Sequence, residues 1–339
     1  MDMTLTASLT QVLALDDSSQ VGHARRIAQR LAGQLGFAEA DAGRVALVAT
    51  ELASNVLKHA QRGALHLRAL RRADGVAGVE LLSVDGAAGF DQSQCMTDGF
   101  STGGTQGIGL GSVARSAQVF DLHSDAHGSV VLARLYPAGQ GADDVRVGVS
   151  QHSLHDDPAC GDTWQVAVRG PLLSALVIDG LGHGTEAEQA ALTGARSFAE
   201  APFDPPQAVL ERLHVDMNGT RGGAVAIARF DAAQGTLQYI GVGNIGATLA
   251  NAQRSHGLAS LPGIVGGQYR KSQVFDYAHL DHHVLIMYSD GLQSRWNLHN
   301  YPGLVHRHPA VIAAVLHRDF CRGRDDVTVL VIDLEFSHA

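Results

Sequence analysis

Four short acidic motifs punctuate the second half of the chain: GDTW at Asp162, IDGLGHG at Asp179, YSDG at Asp290 and RDDVT at Asp325. Three of them border strongly apolar runs, LLSALVIDG, HHVLIMYSDG and DVTVLVIDLEF, which predict buried strands. Carboxylates at the ends of such strands can converge at one sheet edge. The adjoining glycines let the backbone turn so that a carbonyl oxygen can join them. Hard divalent cations take that donor set. The pattern predicts two cations bridged by Asp179, with a shared water that becomes hydroxide near neutral pH and attacks phosphorus in line. A lone Asp at a strand end more simply caps a turn, and Asp204 and Asp231 fit that reading. His183, inside the glycine loop, is either a proton donor to a leaving serine oxygen or a loop residue without a chemical part.

A length of 339 residues suggests two domains. Hydrophobic content of 45% against 17% charged residues argues for packed cores and against disorder. Net charge is −9, and no basic run or aromatic-basic interleaving occurs, so nothing favours nucleic acid. Cys95, Cys160 and Cys321 are widely spaced, which argues against a disulfide framework or a thiolate zinc site. His282, His283, His306 and His308 lack a helical metal-ligand context and read as solvated or packing residues. The N-terminal MDMTLTASLTQVLALDD has no basic region ahead of an apolar run, and no apolar stretch reaches about 18 residues. The expectation is a cytoplasmic protein with no signal peptide and no membrane contact.

In the first half, apolar spacing predicts a helix over 22–35 and a second from Asp41 to His59. LHLRALRR and VAGVELLSVDG predict a hairpin around Ala73–Gly75. Residues 86–112 are glycine-rich and predict a long functional loop. A short helix (Ser112 to Ala117) and two strands, AQVFDLHS and SVVLARLY, follow. PAGQGADD reads as a linker. The second half alternates strands with helices at 186–200 and around Pro309–Arg318. Many strands adjoin one another, which predicts an antiparallel α/β sandwich.

The predicted helix ATELASNVLKHA places Glu51, Asn55 and His59 four residues apart on one face. A carboxylate and an amide so placed can serve as a base and a Mg²⁺ ligand. Asp85 ends a strand, where a buried carboxylate can accept the exocyclic amine of adenine. DGFSTGGTQGIGLG then supplies Gly103, Gly104, Gly107, Gly109 and Gly111, whose amides can approach phosphates ahead of a helix N-terminus. In order and spacing, residues 20–136 resemble the GHKL ATPases, specifically the small serine kinases of the RsbT and RsbW type. The matching pieces are Glu51–Asn55 with Lys58 and His59, DGAAG from Asp85 to Gly89, Gly107–Gly111 including Gly109 and Leu110, and a closing Gly128. The resemblance implies an ATP site with Mg²⁺ held by Asn55, Glu51 as the base that deprotonates a protein serine, and adenine read by Asp85. Ala87 stands where the family has the first glycine of this box, and Ala is comfortable there only at negative φ, which bears on nucleotide contact.

Residues 145–334 resemble the SpoIIE-type branch of the PPM Ser/Thr phosphatases. They carry, in family order, Asp162, DGLGHG (Asp179–Gly184), GVGN (Gly241–Asn244), PGIVG (Pro262–Gly266), SDG (Ser289–Gly291) and DDVT (Asp325–Thr328). The lack of an insert is similar to the RsbX subgroup. The resemblance implies two Mn²⁺ or Mg²⁺ ions held by Asp179 and the Gly180 carbonyl, completed by Asp290 and Asp325, with Asp162 assisting. Asp326 is less readily placed, since adjacent strand residues point to opposite faces. Arg169, Arg221 and Arg270 are unranked candidates for the substrate phosphate.

The expected architecture is a GHKL α/β sandwich over 1–138, a linker over 139–144 and a PPM-type α-β-β-α sandwich over 145–339. The expected function is a partner-switching regulator that removes phosphate from a STAS-domain antagonist and phosphorylates a STAS-domain serine. A sigma factor or downstream effector is a further partner class. The alternative is a phosphatase whose first domain only binds nucleotide or partner.

Overall fold

The computed structural model describes residues 2–72, 75–90, 109–140, 144, 146–280 and 282–335. The chain divides into two compact units, one of Thr10–Val145 and one of Met1–Leu9 with Arg146–Ala339. The N-terminus therefore departs from the expected 1–138 boundary. Strand β1 (Asp2–Ala7) pairs antiparallel with β8 (Asp162–Arg169), Met3 opposite Val168 and Leu5 opposite Val166. A six-residue strand whose partner lies far along the chain leaves little local periodicity to read.

The Thr10–Val145 unit holds β2 (Gln11–Leu15), β3 (Gly63–Arg72), β4 (Ala77–Asp85), β5 (Val119–Asp125) and β6 (Gly128–Leu135). They lie antiparallel in the order β2-β3-β4-β6-β5. Helices α1 (Ser19–Gln34), α2 (Glu39–His59) and α3 (Leu110–Ser116) supply the rest of the core. Period-2 residues Leu65, Leu67, Val79, Leu81, Val131 and Ala133 meet period-3.6 residues Val45, Ala49, Leu52 and Val56. Each buried Leu or Val contributes about 1.5–3 kcal/mol relative to exposure. That apolar stripe leaves Glu51 and Asn55 half-buried beside it and Lys58 and His59 exposed near the helix end.

The second unit has two antiparallel sheets. One runs β1-β8-β9-β10-β11-β14, with β9 (Leu172–Gly180), β10 (Gly223–Asp231), β11 (Thr236–Val242) and β14 (Phe275–Ala278). The other runs β13-β12-β15-β16-β7, with β7 (Val147–His152), β12 (Gly246–Ala250), β13 (Ser255–Leu258), β15 (Val284–Tyr288) and β16 (Val327–Asp333). Helices α4 (Thr185–Glu200) and α5 (Pro206–Asp216) pack on the first sheet, and α6 (Pro309–Phe320) packs on β7 and β16 of the second. This is the α-β-β-α layering expected. Gly148 is what lets α6 settle on β7, since a Cβ there would strike the Ala310 amide.

The run GTLQYIGVGNIGATLA serves both sheets. It breaks between β11 and β12 at Gly243, whose φ of 98° favours glycine. Helix α5 was not anticipated, although Pro206 in its first turn and Val209, Leu210 and Leu213 on its buried face carry the signal. Asp231 caps a turn as expected, accepting from the Ala233 amide at 3.0 Å. His308 has a packing role: buried, it accepts from the Ala310 amide and caps α6. No helix among the described residues is long and apolar enough to cross a membrane.

Candidate metal centre and nucleotide site

Antiparallel register sets Asp162, at the start of β8, directly opposite Asp179, at the end of β9. Asp290 follows β15 and Asp325 precedes β16, and these two strands are neighbours in the other sheet. The second unit thus brings three strand ends together from its two sheets. Burial, then the charges of Asp290 and Asp325, push Asp179 up to about 7. Asp325 is raised as well, by burial first and then by Asp290 and Asp326, while His183 acts in the opposite direction. His183 therefore faces this cluster. Burial and the neighbouring Asp179 raise Asp162 well above the usual carboxylate range.

None of these four aspartates forms an ion pair with Lys or Arg among the described residues. The cluster is negative, crowded and uncompensated. All its donors are hard oxygens, the set that Mg²⁺ and Mn²⁺ take. Among the described residues no group of three or more His, Cys, Asp or Glu side chains is spaced to hold a metal ion as it stands. By donor chemistry and charge the residues fit a divalent cation.

Several residues that sequence reasoning left unassigned fix these carboxylates. Ser289 Oγ donates to Asp162 Oδ2 at 2.6 Å and accepts from the Thr328 amide at 2.9 Å. Asn244 Nδ2 donates to Asp290 Oδ2 at 2.7 Å. Both residues lie inside the quoted GVGN and SDG motifs, so the signal was on the page. Asp326 adds its charge to the cluster but is engaged by backbone amides. It is buried and accepts from the Leu154 and Gly161 amides at 2.7 and 2.6 Å, tethering the loop that leads into β8. The Gly180 amide in turn donates to the Gly161 carbonyl at 2.9 Å.

After Asp179 the DGLGHG loop turns into α4 with φ of 83° at Gly182 and 79° at Gly184, values a side chain rarely tolerates. The loop also ranks the arginines. A Cβ on Gly182 would lie 3.1 Å from the Arg221 guanidinium, and Arg221 pairs with Glu186 in the first turn of α4. Arg169 sits at the opposite end of β8 from Asp162, its guanidinium 4.2 Å from the Phe203 ring centre. Seven residues of strand separate it from the carboxylates, roughly 23 Å. Arg270 is exposed in the loop before β14.

In the Thr10–Val145 unit, Asp85 ends β4 opposite Ser129 and accepts from the Ala87 amide at 3.0 Å. Ala87 is not among the described residues with positive φ, so it sits in this turn without strain. Gly89 donates its amide to the Asp125 carbonyl at 2.9 Å, and a Cβ there would collide with that oxygen. Gly63 lets α2 approach the end of β4 closely: a Cβ on it would lie 2.7 Å from Val56 Cγ1 and 3.1 Å from Asp85 Cβ. Burial raises the Glu51 carboxyl, with Lys58 partly countering it. Gly109 precedes α3, Leu110 anchors that helix in the core, and Gly111 lies in its first turn. Gly103, Gly104 and Gly107 lie outside the described residues.

A family profile described as a histidine kinase-like ATPase domain matches residues 14–135. The serine/threonine-protein kinase RsbT of Bacillus subtilis (strain 168) is 35% identical over 105 residues, 30% of this chain and 77% of RsbT. A solved structure from work on the bacterial stressosome as a modular system controlling secondary messenger signalling is 26% identical. It covers 56% of this chain and 99% of its own, with a TM-score of 0.52. A crystal structure of RsbX in complex with magnesium is 20% identical over 54% of this chain and 92% of its own, with a TM-score of 0.48. Through residues 14–135, which carry the Glu51, Asn55, Asp85 and Gly89 geometry, the chain belongs to the histidine kinase-like ATPase family, in company with the RsbT kinase.

Proposed function

We propose that this chain is a cytoplasmic partner-switching regulator with two opposed activities. Its second unit hydrolyses phosphoserine or phosphothreonine on a STAS-domain antagonist, and its first transfers phosphate from ATP to a STAS-domain serine. The observation that carries the phosphatase reading is the uncompensated meeting of Asp179, Asp290 and Asp325, with Asp179 pushed up to about 7 by burial and then by these neighbours. Asp179, the Gly180 carbonyl, Asp290 and Asp325 are the groups that would hold Mn²⁺ or Mg²⁺, with Asp162 assisting. When bound, such ions acidify a water and neutralise phosphate charge. The chain's own residues do the rest. Asn244 fixes Asp290, Ser289 fixes Asp162, and Arg221, over the glycine loop, is the arginine best placed to orient the substrate phosphate.

The kinase reading rests on residues 14–135. Glu51 is half-buried with its carboxyl raised, which suits a base that takes a proton from a serine hydroxyl. Asn55 would hold Mg²⁺ on ATP, and Asp85 would read adenine, with Lys58, His59, Gly89, Gly107, Gly109, Leu110 and Gly111 completing the nucleotide site. The unstrained Ala87 supports a working site over a purely partner-binding module, with a sigma factor or downstream effector as the further partner.

Phosphate release from a phosphoserine STAS protein tests the first activity. Metal-dependent release by the wild type and none by Asp290→Asn is expected, and equal release by both would refute the carboxylate assignment. For the second activity, Glu51→Gln should abolish phosphorylation while ATP still binds; unchanged phosphorylation would remove Glu51 as the base.

A further inference from the structure

The segments that follow Asp290 and precede Asp325 line a cavity of about 560 Å³ with Gln293, Ser294, Arg295, Arg322 and Arg324. No role for these residues follows from the motifs, yet the two segments that build the cavity are the ones that carry Asp290 and Asp325. They are laced together. Leu292 bridges Cys321, the Arg322 amide donates to the Gly291 carbonyl at 2.9 Å, and the Gln293 amide donates to the Phe320 carbonyl at 2.9 Å. Gln293 is three residues past Asp290, and Arg324 immediately precedes Asp325.

Three guanidinium groups on one cavity wall are unusual company in a chain of net charge −9. Arg322 donates from Nε to the Leu292 carbonyl at 3.4 Å. Arg295 and Arg324 have no side-chain hydrogen-bond or ion-pair partner among the described residues. Trp296, next in the chain to Arg295, packs edge-on against Tyr288, and its buried indole N–H has no acceptor. The wall therefore presents exposed positive charge that no carboxylate among the described residues neutralises.

We infer that this cavity is a docking subsite for acidic side chains that flank the phosphoserine or phosphothreonine of the protein substrate. The inference rests on the phosphatase reading above and adds a sequence preference to it. Three residues of extended chain span about 10 Å. A substrate phosphate at the carboxylate cluster thus brings an Asp or Glu three or four positions away to the arginines. Planar guanidinium forks suit carboxylate oxygens. The same charges also offset the repulsion that a −9 chain exerts on an acidic partner, and so raise the encounter rate.

The test uses the full chain and two pairs of synthetic peptides. Each pair has Asp and Glu, or Asn and Gln, three and four positions from one serine. One pair is unphosphorylated and fluorescein-labelled, read by anisotropy. The other is phosphorylated, read by phosphate release with Mn²⁺. The wild type should favour the acidic member of each pair by roughly tenfold, what two or three exposed ion pairs supply together. The preference should shrink in Arg295→Gln/Arg324→Gln and be lost or inverted in Arg295→Glu, a single change at an exposed side chain with no partner. Equal binding of acidic and neutral peptides by the wild type, a preference untouched in both variants, or tighter binding of a single-stranded oligonucleotide would overturn the inference. Intact binding preference with no phosphate release from either phosphopeptide would leave the subsite standing and refute the phosphatase reading instead.

Discussion

The two sites handle carboxylate charge in opposite ways. Glu51 is held on a helix face with Lys58 close enough to act on it, and Asp85 accepts from the backbone turn that follows it. Asp179, Asp290 and Asp325 meet at strand ends with neither Lys nor Arg paired to them among the described residues, and burial first, then the charges of Asp290 and Asp325, raise Asp179 to about 7. The first site can be assembled before its ligand arrives. The second gathers like charge that a bound cation would offset. The contrast teaches where ligand and stability are coupled: metal should act on the fold of the second unit, whereas nucleotide affinity should depend on close backbone packing around Gly89 and Gly63.

The sharpest way to break this contrast is Asp179→Asn. Phosphatase activity should fall by about 10³-fold, as when one preorganised electrostatic group is removed from a transition-state site. The metal-free protein should nonetheless melt higher at pH 8, because a repelling charge is gone. A lower metal-free melting temperature would contradict the charge argument. Next in size is Asn244→Ala, which frees Asp290 and should weaken metal affinity 10–100-fold, as loss of a ligand's supporting hydrogen bond does; a metal titration followed by melting temperature checks it.

The pH dependence comes third. Burial and its acidic neighbours push Asp179 up to about 7, well above the usual carboxylate value of about 3.9. Between those values the folded chain holds the extra proton, so metal-free stability declines as pH rises from about 4 through 7 and then levels. The full shift corresponds to about 4 kcal/mol at most. Melting curves at pH 5.5 and 8 should therefore differ in the absence of metal. Saturating Mn²⁺ should raise the pH 8 value more, since at 100 times Kd a ligand adds about 2.7 kcal/mol. A pH-independent, metal-insensitive melting curve would count against the cluster. In the other unit, Gly89→Ala forces a Cβ into the Asp125 carbonyl. Overpacking of that kind costs about 1–3 kcal/mol, and ATP binding by calorimetry should weaken while phosphate release is unchanged. The smallest effect is expected from Ala87→Gly: without strain to relieve, ATP affinity should move less than about threefold, under 1 kcal/mol.

What could be read from the sequence follows the range of its signals. The runs at LLSALVIDG and LIMYSDG announce strands because burial on both faces leaves continuous apolar residues. The motifs at their ends named Asp179, Asp290 and Asp325 before any geometry was available. Helix α2 announced both its core stripe and its polar face, beginning two residues earlier than expected. Strand β1 stayed hidden because pairing with β8 is a long-range event with a weak local pattern. Ser289 and Asn244 were in view as motif letters, but their hydrogen bonds to Asp162 and Asp290 exist only once two sheets meet. The Arg295, Arg322 and Arg324 wall is a more extreme case. No periodicity links residues nearly 30 positions apart; backbone bonds between 291–293 and 320–322 bring them together.

The central claim, that one chain both adds and removes phosphate, is tested most directly by the intact mass of a STAS-domain protein. It would be incubated with ATP, Mg²⁺ or Mn²⁺, and either the wild type or Asp179→Asn. The account predicts that the STAS protein gains one phosphate with Asp179→Asn and that wild type then removes it. No gain with the variant, alongside removal of a pre-installed phosphate by wild type, would contradict the claim and leave a phosphatase joined to a non-transferring ATPase-like unit.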